Sequence, residues 1–358
     1  MAGGAPSSTA RAALPTSERK RLRAAFRNEC GWADAHETWL AGDASFRTYY
    51  RVARLGRVAR LRRVARLGHT AIIMDAPPAT EDVRPFVRIA RHLRALGLSA
   101  PEVLAADEAN GFLLLEDLGD DTFSRMLDAG VAEGLLYERA TDVLIALQAA
   151  GSRALLPGLN VYLGEALAEA AMLLPEWYAP AALQRPVDEA ECSDYRAAWR
   201  ACVAALPVLP TTLMLRDYHK DNLLWLPDRP GVKACGLLDF QDAQEGHCAY
   251  DLVSLIEDAR RDVSPAVHDA CVARYIAETG VDEDDFMAGF AVMAAQRHGR
   301  ILGLFVRLAR RDGKPEYLKH LPRVRHQFER ALRHDALAPL RTWVDRVLPA
   351  TRPPIGAA

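Results

Sequence analysis

Leu215-Arg-Asp217-Tyr-His219-Lys-Asp-Asn222-Leu-Leu-Trp225, followed a short way on by Gly236-Leu-Leu-Asp239-Phe240-Gln-Asp242, decides how this chain is read. Each run joins a loop to a short apolar stretch, and together they predict a hairpin that carries acids at its loop ends. Transfer of a phosphoryl group from ATP needs a carboxylate to orient and deprotonate an acceptor hydroxyl. It also needs oxygen ligands that hold Mg²⁺ across the phosphates, because catalysis here is mostly positioning and charge neutralisation. Asp217 with Asn222 five residues later supplies a base and a metal ligand from one loop, and Asp239 ending the paired strand supplies the other ligand. Asp and Asn in a loop are also ordinary turn residues. The companion Asp-Phe and the organisation of the rest of the chain select the catalytic reading.

Upstream of the hairpin the sequence predicts a small sheet with helices. Ser17 to Glu29 reads as a helix capped by Ser17, with Leu22, Ala25 and Phe26 on one face. Leu40 to Val52 reads as a turn at Gly42–Phe46 running into a strand, and Ala71–Met74 as a buried strand stopped by Asp75-Ala-Pro-Pro78. Asp82 to Gly97 is an amphipathic helix with Phe86, Ile89, Leu93 and Leu96 on one face. Val103–Ala106 and Gly111–Leu118 then read as a strand pair. From Gly119 the character changes: helices are predicted over 132–150, 163–174, 189–206, 251–260, 266–279, 286–310 and 317–333, with strands only at 223–226 and 234–239. The predicted class is α+β and bilobed. Residues 1–16 form a tail, 17–118 a small β-rich N-lobe, 119–348 a larger, mainly helical C-lobe, and 349–358 a second tail.

Residues 51–68 read RVARLG, RVARLR, RVARLG, with seven arginines and no acid. A period of six is too short for a solenoid unit. The segment is either a basic patch for nucleic acid or acidic lipid, or a tandem duplication that lengthens an exposed hairpin, and we read it as the latter.

Composition excludes several broad classes. The 358 residues hold 45 Lys plus Arg against 47 Asp plus Glu, a formal charge of −2, so no global basic field favours nucleic acid. Half the residues are apolar and 26% charged, as in a globular protein. No run approaches the ~18–20 apolar residues of a membrane span, and residues 1–10 lack a secretory signal pattern. Cys30, Cys192, Cys202, Cys235, Cys248 and Cys271 are scattered, with no ligand-like cluster, which suggests reduced thiols in a cytoplasmic protein. No nucleic-acid or membrane partner is expected, and the chain is expected to be a monomer.

The Asp217/Asn222 and Asp239-Phe240 elements match the layout of the protein-kinase H-R-D-x-x-x-x-N and D-F-G motifs. More closely, the loop resembles that of the aminoglycoside phosphotransferase-like kinases, H-G-D-x-H-x-x-N, with Leu215-Arg216 in place of His-Gly. The resemblance implies a protein-kinase-like fold and use of ATP and Mg²⁺. It implies that Asp217 is the base, that His219 lies near the transferred phosphate, that Asn222 and Asp239 are metal ligands, and that Asp251 is a structural brace. Leu114-Leu-Glu116-Asp-Leu118 resembles the hinge whose backbone, around Glu116 and Leu118, bonds adenine. Several phrases are similar to the anomeric N-acetylmuramate/N-acetylglucosamine kinases: Asp43-Ala-Ser-Phe-Arg47, Met74-Asp-Ala-Pro-Pro78, Gly111–Gly119, Leu238-Asp-Phe-Gln-Asp-Ala243, Asp251–Asp262 and the Arg311-Asp-Gly-Lys-Pro315 region. That similarity covers about residues 36 to 325. It implies phosphorylation of the C1 hydroxyl of an amino sugar during recycling of cell-wall sugar.

Two departures stand out. Ile72-Ile-Met74-Asp75 lacks the phosphate-binding Lys of a kinase strand, and its role passes to Arg47 or to an arginine of the repeat. The repeat itself follows the turn at Gly42–Phe46, whose N–H groups and Ser45 hydroxyl would meet phosphate oxygens. For the acceptor, Arg260, Arg261, Arg297 and Arg300 are candidates to meet a sugar acid's carboxylate, since a planar guanidinium suits it, and Trp177 and Tyr178 could stack on a sugar ring. A kinase for an aminoglycoside or another small alcohol, and a non-catalytic nucleotide-binding pseudokinase, stand as alternatives.

Overall fold

The computed structural model describes residues 16–42, 46–54, 70–348 and 355. Ser45, most of the arginine repeat and both tails lie outside the described residues. The chain divides into two units, Met1–Asp120 with Gly236–Gln241, and Asp121–Cys235 with Asp242–Ala358. The span 119–348, read from sequence as one lobe, is thus interrupted: the segment bearing Asp239 belongs with the first unit.

In the first unit, helix α1 (Thr16–Glu29) precedes strands β1 (His36–Gly42), β2 (Thr48–Ala53) and β3 (Thr70–Asp75), then α2 (Arg84–Ala95), β4 (Val103–Asp107) and β5 (Phe112–Glu116). The strands form one antiparallel sheet of order β1-β2-β3-β5-β4. Val52, Ala71, Ile73, Phe112 and Leu114 alternate along three strands and pack on Phe26 and Trp32. Ala25, placed by sequence on the buried face of α1, is exposed; Arg19, Arg23 and Phe26 hold that face instead. Ser17 lies inside the helix rather than at its cap. The arginines are buried because Asp75, ending β3, receives both: Arg19 Nε at 2.6 Å and Arg23 Nη1 at 2.8 Å. Arg23 also reaches Glu37 on β1 at 2.9 Å. A charge at the end of β3 therefore docks α1 onto the sheet, on the strand that lacks the Lys of a kinase. In the same unit Leu237 N–H donates to the Ser99 carbonyl, and Phe240 packs on Phe86 of α2 with ring centres 4.9 Å apart. These contacts fix the segment that carries Asp239.

The second unit comprises α3 (Phe123–Asp128), α4 (Glu133–Ala150), β6 (Val161–Tyr162), α5 (Glu165–Ala171), α6 (Ala179–Leu183), α7 (Glu189–Ala204), β7 (Thr211–Met214), β8 (Leu223–Trp225), β10 (Gln244–His247), α8 (Tyr250–Ile256), α9 (Pro265–Thr279), α10 (Glu283–Arg310), α11 (Leu321–Ala331) and α12 (Ala338–Val347). Strand β9 (Cys235–Leu237) carries the chain back into the first unit. A sheet of order β6-β10-β7, parallel on one side and antiparallel on the other, was not legible as strands. The helix expected over 163–174 ends at Ala171 and gives way to a π-helical turn, Leu174–Tyr178. The one expected over 251–260 stops at Ile256, and 317–333 begins as a 3₁₀ turn over Pro315–His320. Helix α10 is the buried spine. Gly303 lets it approach the π turn, since a Cβ there would lie 2.0 Å from the Leu173 carbonyl oxygen.

Four helices of this unit meet at one carboxylate. Glu257, just past α8 and buried, receives His298 Nε2 of α10 at 2.6 Å and Arg330 Nη2 of α11 at 2.6 Å, with His268 Nε2 of α9 at 3.5 Å. Burial pushes its pKa up, but the hydrogen bonds from His268 and His298 and the Arg330 charge outweigh it and hold the group well below the usual carboxylate range. Burial keeps His298 neutral, so it donates a neutral N–H. A depressed folded pKa contributes stability that is present above the unfolded value, about 4.3, and lost as pH falls toward the folded one. Urea unfolding is therefore expected to weaken steeply below about pH 5. Glu257→Gln should be less stable at pH 7 by about 3 kcal/mol and flatter on the acid side. Parallel acid limbs for both proteins would contradict this role.

Candidate active site

The loop between β7 and β8 is held at several points. The Asp251 carboxylate, at the start of α8, accepts the Leu215 N–H at 2.5 Å and the Arg216 N–H at 2.9 Å. Tyr218, fully buried, donates its hydroxyl to the Ala140 carbonyl of α4 at 2.8 Å. Lys220 Nζ reaches Ser124 Oγ of α3 at 3.2 Å and Asp221 at 3.0 Å. Asn222 Nδ2 closes the loop on the Asp217 carbonyl at 2.9 Å, which turns its amide oxygen to the other side. Between these anchors the Asp217 side chain is exposed, with no hydrogen-bond or ion-pair partner for its carboxylate among the described residues. A rigid loop thus presents an uncommitted carboxylate, as a base that must receive an external hydroxyl requires.

His219 is buried two residues on, and burial holds its pKa down, so the ring is neutral at pH 7. Its Nδ1 accepts the Asp221 N–H at 3.3 Å, and its Nε2 lies 3.5 Å from the Asn222 amide nitrogen. Asp251 is pushed up to about 7 by burial, against the pull of the two N–H donors and of Arg297.

The first unit carries a second cluster. Arg47, leading into β2, has Nε 3.3 Å from Glu81 Oε2, and its Nη1 lies 3.9 Å from Asp239 Oδ1. Glu81 also accepts the Phe46 N–H at 3.1 Å, and Gln241 Nε2 donates to Asp239 Oδ1 at 2.8 Å. A guanidinium held by a glutamate and placed beside a carboxylate is the charge arrangement expected of the missing Lys, reached from a different strand. Arg51, the first arginine of the repeat, is committed elsewhere, to Asp117 and Asp120 at 2.8 Å each, and Arg54 lies over the Trp32 ring. Neither is a phosphate ligand in this arrangement.

Backbone strain coincides with these residues. Among the described residues only Gln184, Arg216 and Asp239 are non-glycine with positive φ, at 55°, 70° and 56°. A left-handed L-residue costs about 1–2 kcal/mol, and such outliers gather at functional sites.

The structure brings Asp217, His219, Asn222 and Asp251 onto one loop and its brace, and Arg47 beside Asp239. Arg297 is buried near Asp251 and His219, Arg260 feels the same histidine, and Arg300 of α10 feels Asp217. Arg261 departs from the set: it pairs with Asp128 at 3.2 Å, facing away from any shared role. Glu116 does not offer its side chain or its N–H to a nucleotide: the carboxylate binds Arg94 at 3.1 Å and the N–H donates to the Glu102 carbonyl. Leu118 is half-buried beyond it. Tyr178 is core and Trp177 half-buried, both in the π turn on α10. Glu81, which holds Arg47, was missed. Glu81 looked like an ordinary acid ahead of α2, and nothing local links it to Arg47.

The phosphotransferase enzyme family model matches residues 38–290. An N-acetylmuramate/N-acetylglucosamine kinase of Caulobacter vibrioides is 38% identical over 368 residues, covering 93% of this chain and 98% of that one. One of Pseudomonas aeruginosa is 35% identical, covering 84% and 86%. Among solved structures, a choline/ethanolamine kinase family protein from Mesorhizobium loti aligns with TM-score 0.59 at 15% identity, covering 91% and 98%. An aminoglycoside phosphotransferase solved with AMP-PNP and hygromycin B aligns at 0.53 and 12%, covering 89% and 98%. These place the fold among the aminoglycoside phosphotransferase-like kinases.

Asp251→Ala removes both acceptors and frees the loop that aims Asp217. Turnover with ATP should fall about 100-fold, with a lower thermal midpoint. Turnover at the parent rate would contradict the bracing role.

Proposed function

The chain belongs to the phosphotransferase enzyme family, and within it we propose an ATP- and Mg²⁺-dependent sugar kinase that phosphorylates the C1 hydroxyl of N-acetylmuramate and N-acetylglucosamine. The observation that carries the chemistry is Asp217: exposed, uncommitted and held on a loop pinned by Asp251. The names of relatives 38% and 35% identical over most of the chain support the acceptor. A cytoplasmic place in the recovery of cell-wall sugar fits this activity.

In this reading Asp217 accepts a hydrogen bond from the C1 hydroxyl, orients its oxygen toward the γ-phosphorus, and takes the proton as the new P–O bond forms and ADP leaves. His219 lies near the transferred group. Arg47, steadied by Glu81, neutralises phosphate charge. Asn222 and Asp239 offer an amide and a carboxylate oxygen, the hard donor set that suits Mg²⁺. When bound, Mg²⁺ supplies charge neutralisation across the phosphates. Main-chain groups beyond Glu116, around Leu118, would meet adenine.

ADP release with Mg²⁺-ATP, measured against N-acetylmuramate, N-acetylglucosamine, glucose, choline and kanamycin, tests the reading. Release is expected with the N-acetyl sugars alone, and Asp217→Asn should lower it about 10²–10⁴-fold. ATP binding without sugar-dependent release would favour a nucleotide-binding regulator, and turnover of another acceptor would discard the sugar assignment. Arg47→Gln should raise the KM for ATP about 10- to 100-fold, the worth of one charge-assisted hydrogen bond. Unchanged ATP kinetics would remove Arg47 from the phosphate site.

A further inference from the structure

We propose that Arg51 is a positioning residue for the nucleotide base: by binding Asp117 and Asp120 together it fixes the main chain of Leu118 and Gly119, and through it the preference for ATP over GTP. This inference rests on the adenine site proposed above.

Arg51 lies on the face of β2 opposite Tyr50 and Val52, which pack with Phe26 of α1 in the core of the first unit. It pairs across the sheet with Ile72 of β3, and Ile72 pairs with Leu115 of β5. Along that row its side chain reaches the chain just past the end of β5. Nε and Nη2 donate to the Asp117 carboxylate at 2.8 and 3.0 Å, and Nη1 and Nη2 donate to the Asp120 carboxylate at 2.8 Å each. One planar fork is thus shared between two acids three residues apart, a geometry that a lysine cannot reproduce.

The segment between the acids is held from within and from upstream as well. Asp117 Oδ1 accepts the Gly119 N–H at 3.0 Å, and Gly119 holds the left-handed backbone of a tight turn, φ 87°. Glu116 is tied to Arg94 at 3.1 Å, and its N–H donates to the Glu102 carbonyl at 2.8 Å. Leu118 stands half-buried between these anchors, and among the described residues its own N–H and C=O take no hydrogen bond. A fixed main chain with an unused donor and acceptor suits the edge of a flat base. Adenine presents a ring-nitrogen acceptor beside an amino donor, whereas guanine presents an N–H beside a carbonyl oxygen. A segment that cannot shift leaves the guanine edge unmatched, and a loose one adapts to it. The Asp117 side chain is buried, but that of Asp120 is half exposed and its bond adds little to folding stability. Losing Asp120 therefore separates positioning from stability.

The experiment is titration calorimetry of Mg²⁺-ATP and Mg²⁺-GTP, without sugar, on wild type, Arg51→Lys and Asp120→Ala. Arg51→Lys keeps a cation beside buried Asp117 and Asp120→Ala removes an exposed acid, so both should fold, as thermal midpoints will report. The two nucleotides carry the same phosphates, so only an effect on the base changes the ratio of their dissociation constants. Each variant is expected to bind ATP about 10-fold more weakly, the cost of ordering roughly one residue's backbone on binding. GTP affinity should change less, so that the preference for ATP narrows. Equal losses on both nucleotides would assign Arg51 to the phosphates or to the fold at large and overturn the inference. Unchanged affinities, or a wild type with no preference between the nucleotides, would overturn it too. Because no sugar is present, the result is independent of which acceptor is phosphorylated. Wild type that binds neither nucleotide would fail the nucleotide site itself, and this inference would fall with it.

Discussion

The two hydrogen bonds from the Leu215 and Arg216 N–H groups to the Asp251 carboxylate hold this structure's chemistry in place. Asp251 stands at the start of α8, a helix whose residues are all buried, and Glu257 stands just past its other end. One carboxylate grips the catalytic loop; the other grips α9, α10 and α11 through His268, His298 and Arg330. A short helix thereby ties the loop that presents Asp217 to the most buried part of the second unit. Both acids are expensive to bury, and both are matched by donors. Asp251 meets main-chain N–H groups and Glu257 meets side chains on three helices, so losing either leaves polar groups stranded.

The first unit solves a related problem with a different residue. Its sheet ends β3 with Asp75, which is consumed by Arg19 and Arg23 in docking α1. In the proposed reading the cation for phosphates is Arg47, at the entrance to β2, held by Glu81 and set beside Asp239. The repeat was the alternative source of a cation. Its first two arginines are instead spent on Asp117 and Asp120 and on the face of Trp32.

What the sequence made legible is what chemistry confines to short spacings. Asp217, His219 and Asn222 fall within one loop, and Asp239-Phe240 ends one strand, so their pattern survives without knowledge of the fold. The main helices were legible because apolar residues recur at helical period, as in α2 and α10. The strands β6, β7 and β10 span only two to four residues, too few to show alternation. Pairings that depend on tertiary approach were hidden: Glu81 with Arg47, and the four-helix meeting at Glu257. The pairing of Arg261 with Asp128 was equally hidden.

In the proposed reading, Asp217 and the residues that hold it activate one hydroxyl. The most direct test of that account is the identity of the bond formed, read by phosphorus NMR on the product of Mg²⁺-ATP with each N-acetyl sugar. The account requires a phosphate resonance coupled to the anomeric proton, the mark of a C1 phosphate. A phosphomonoester on any other carbon, or no sugar phosphate while ATP is still bound, would contradict it.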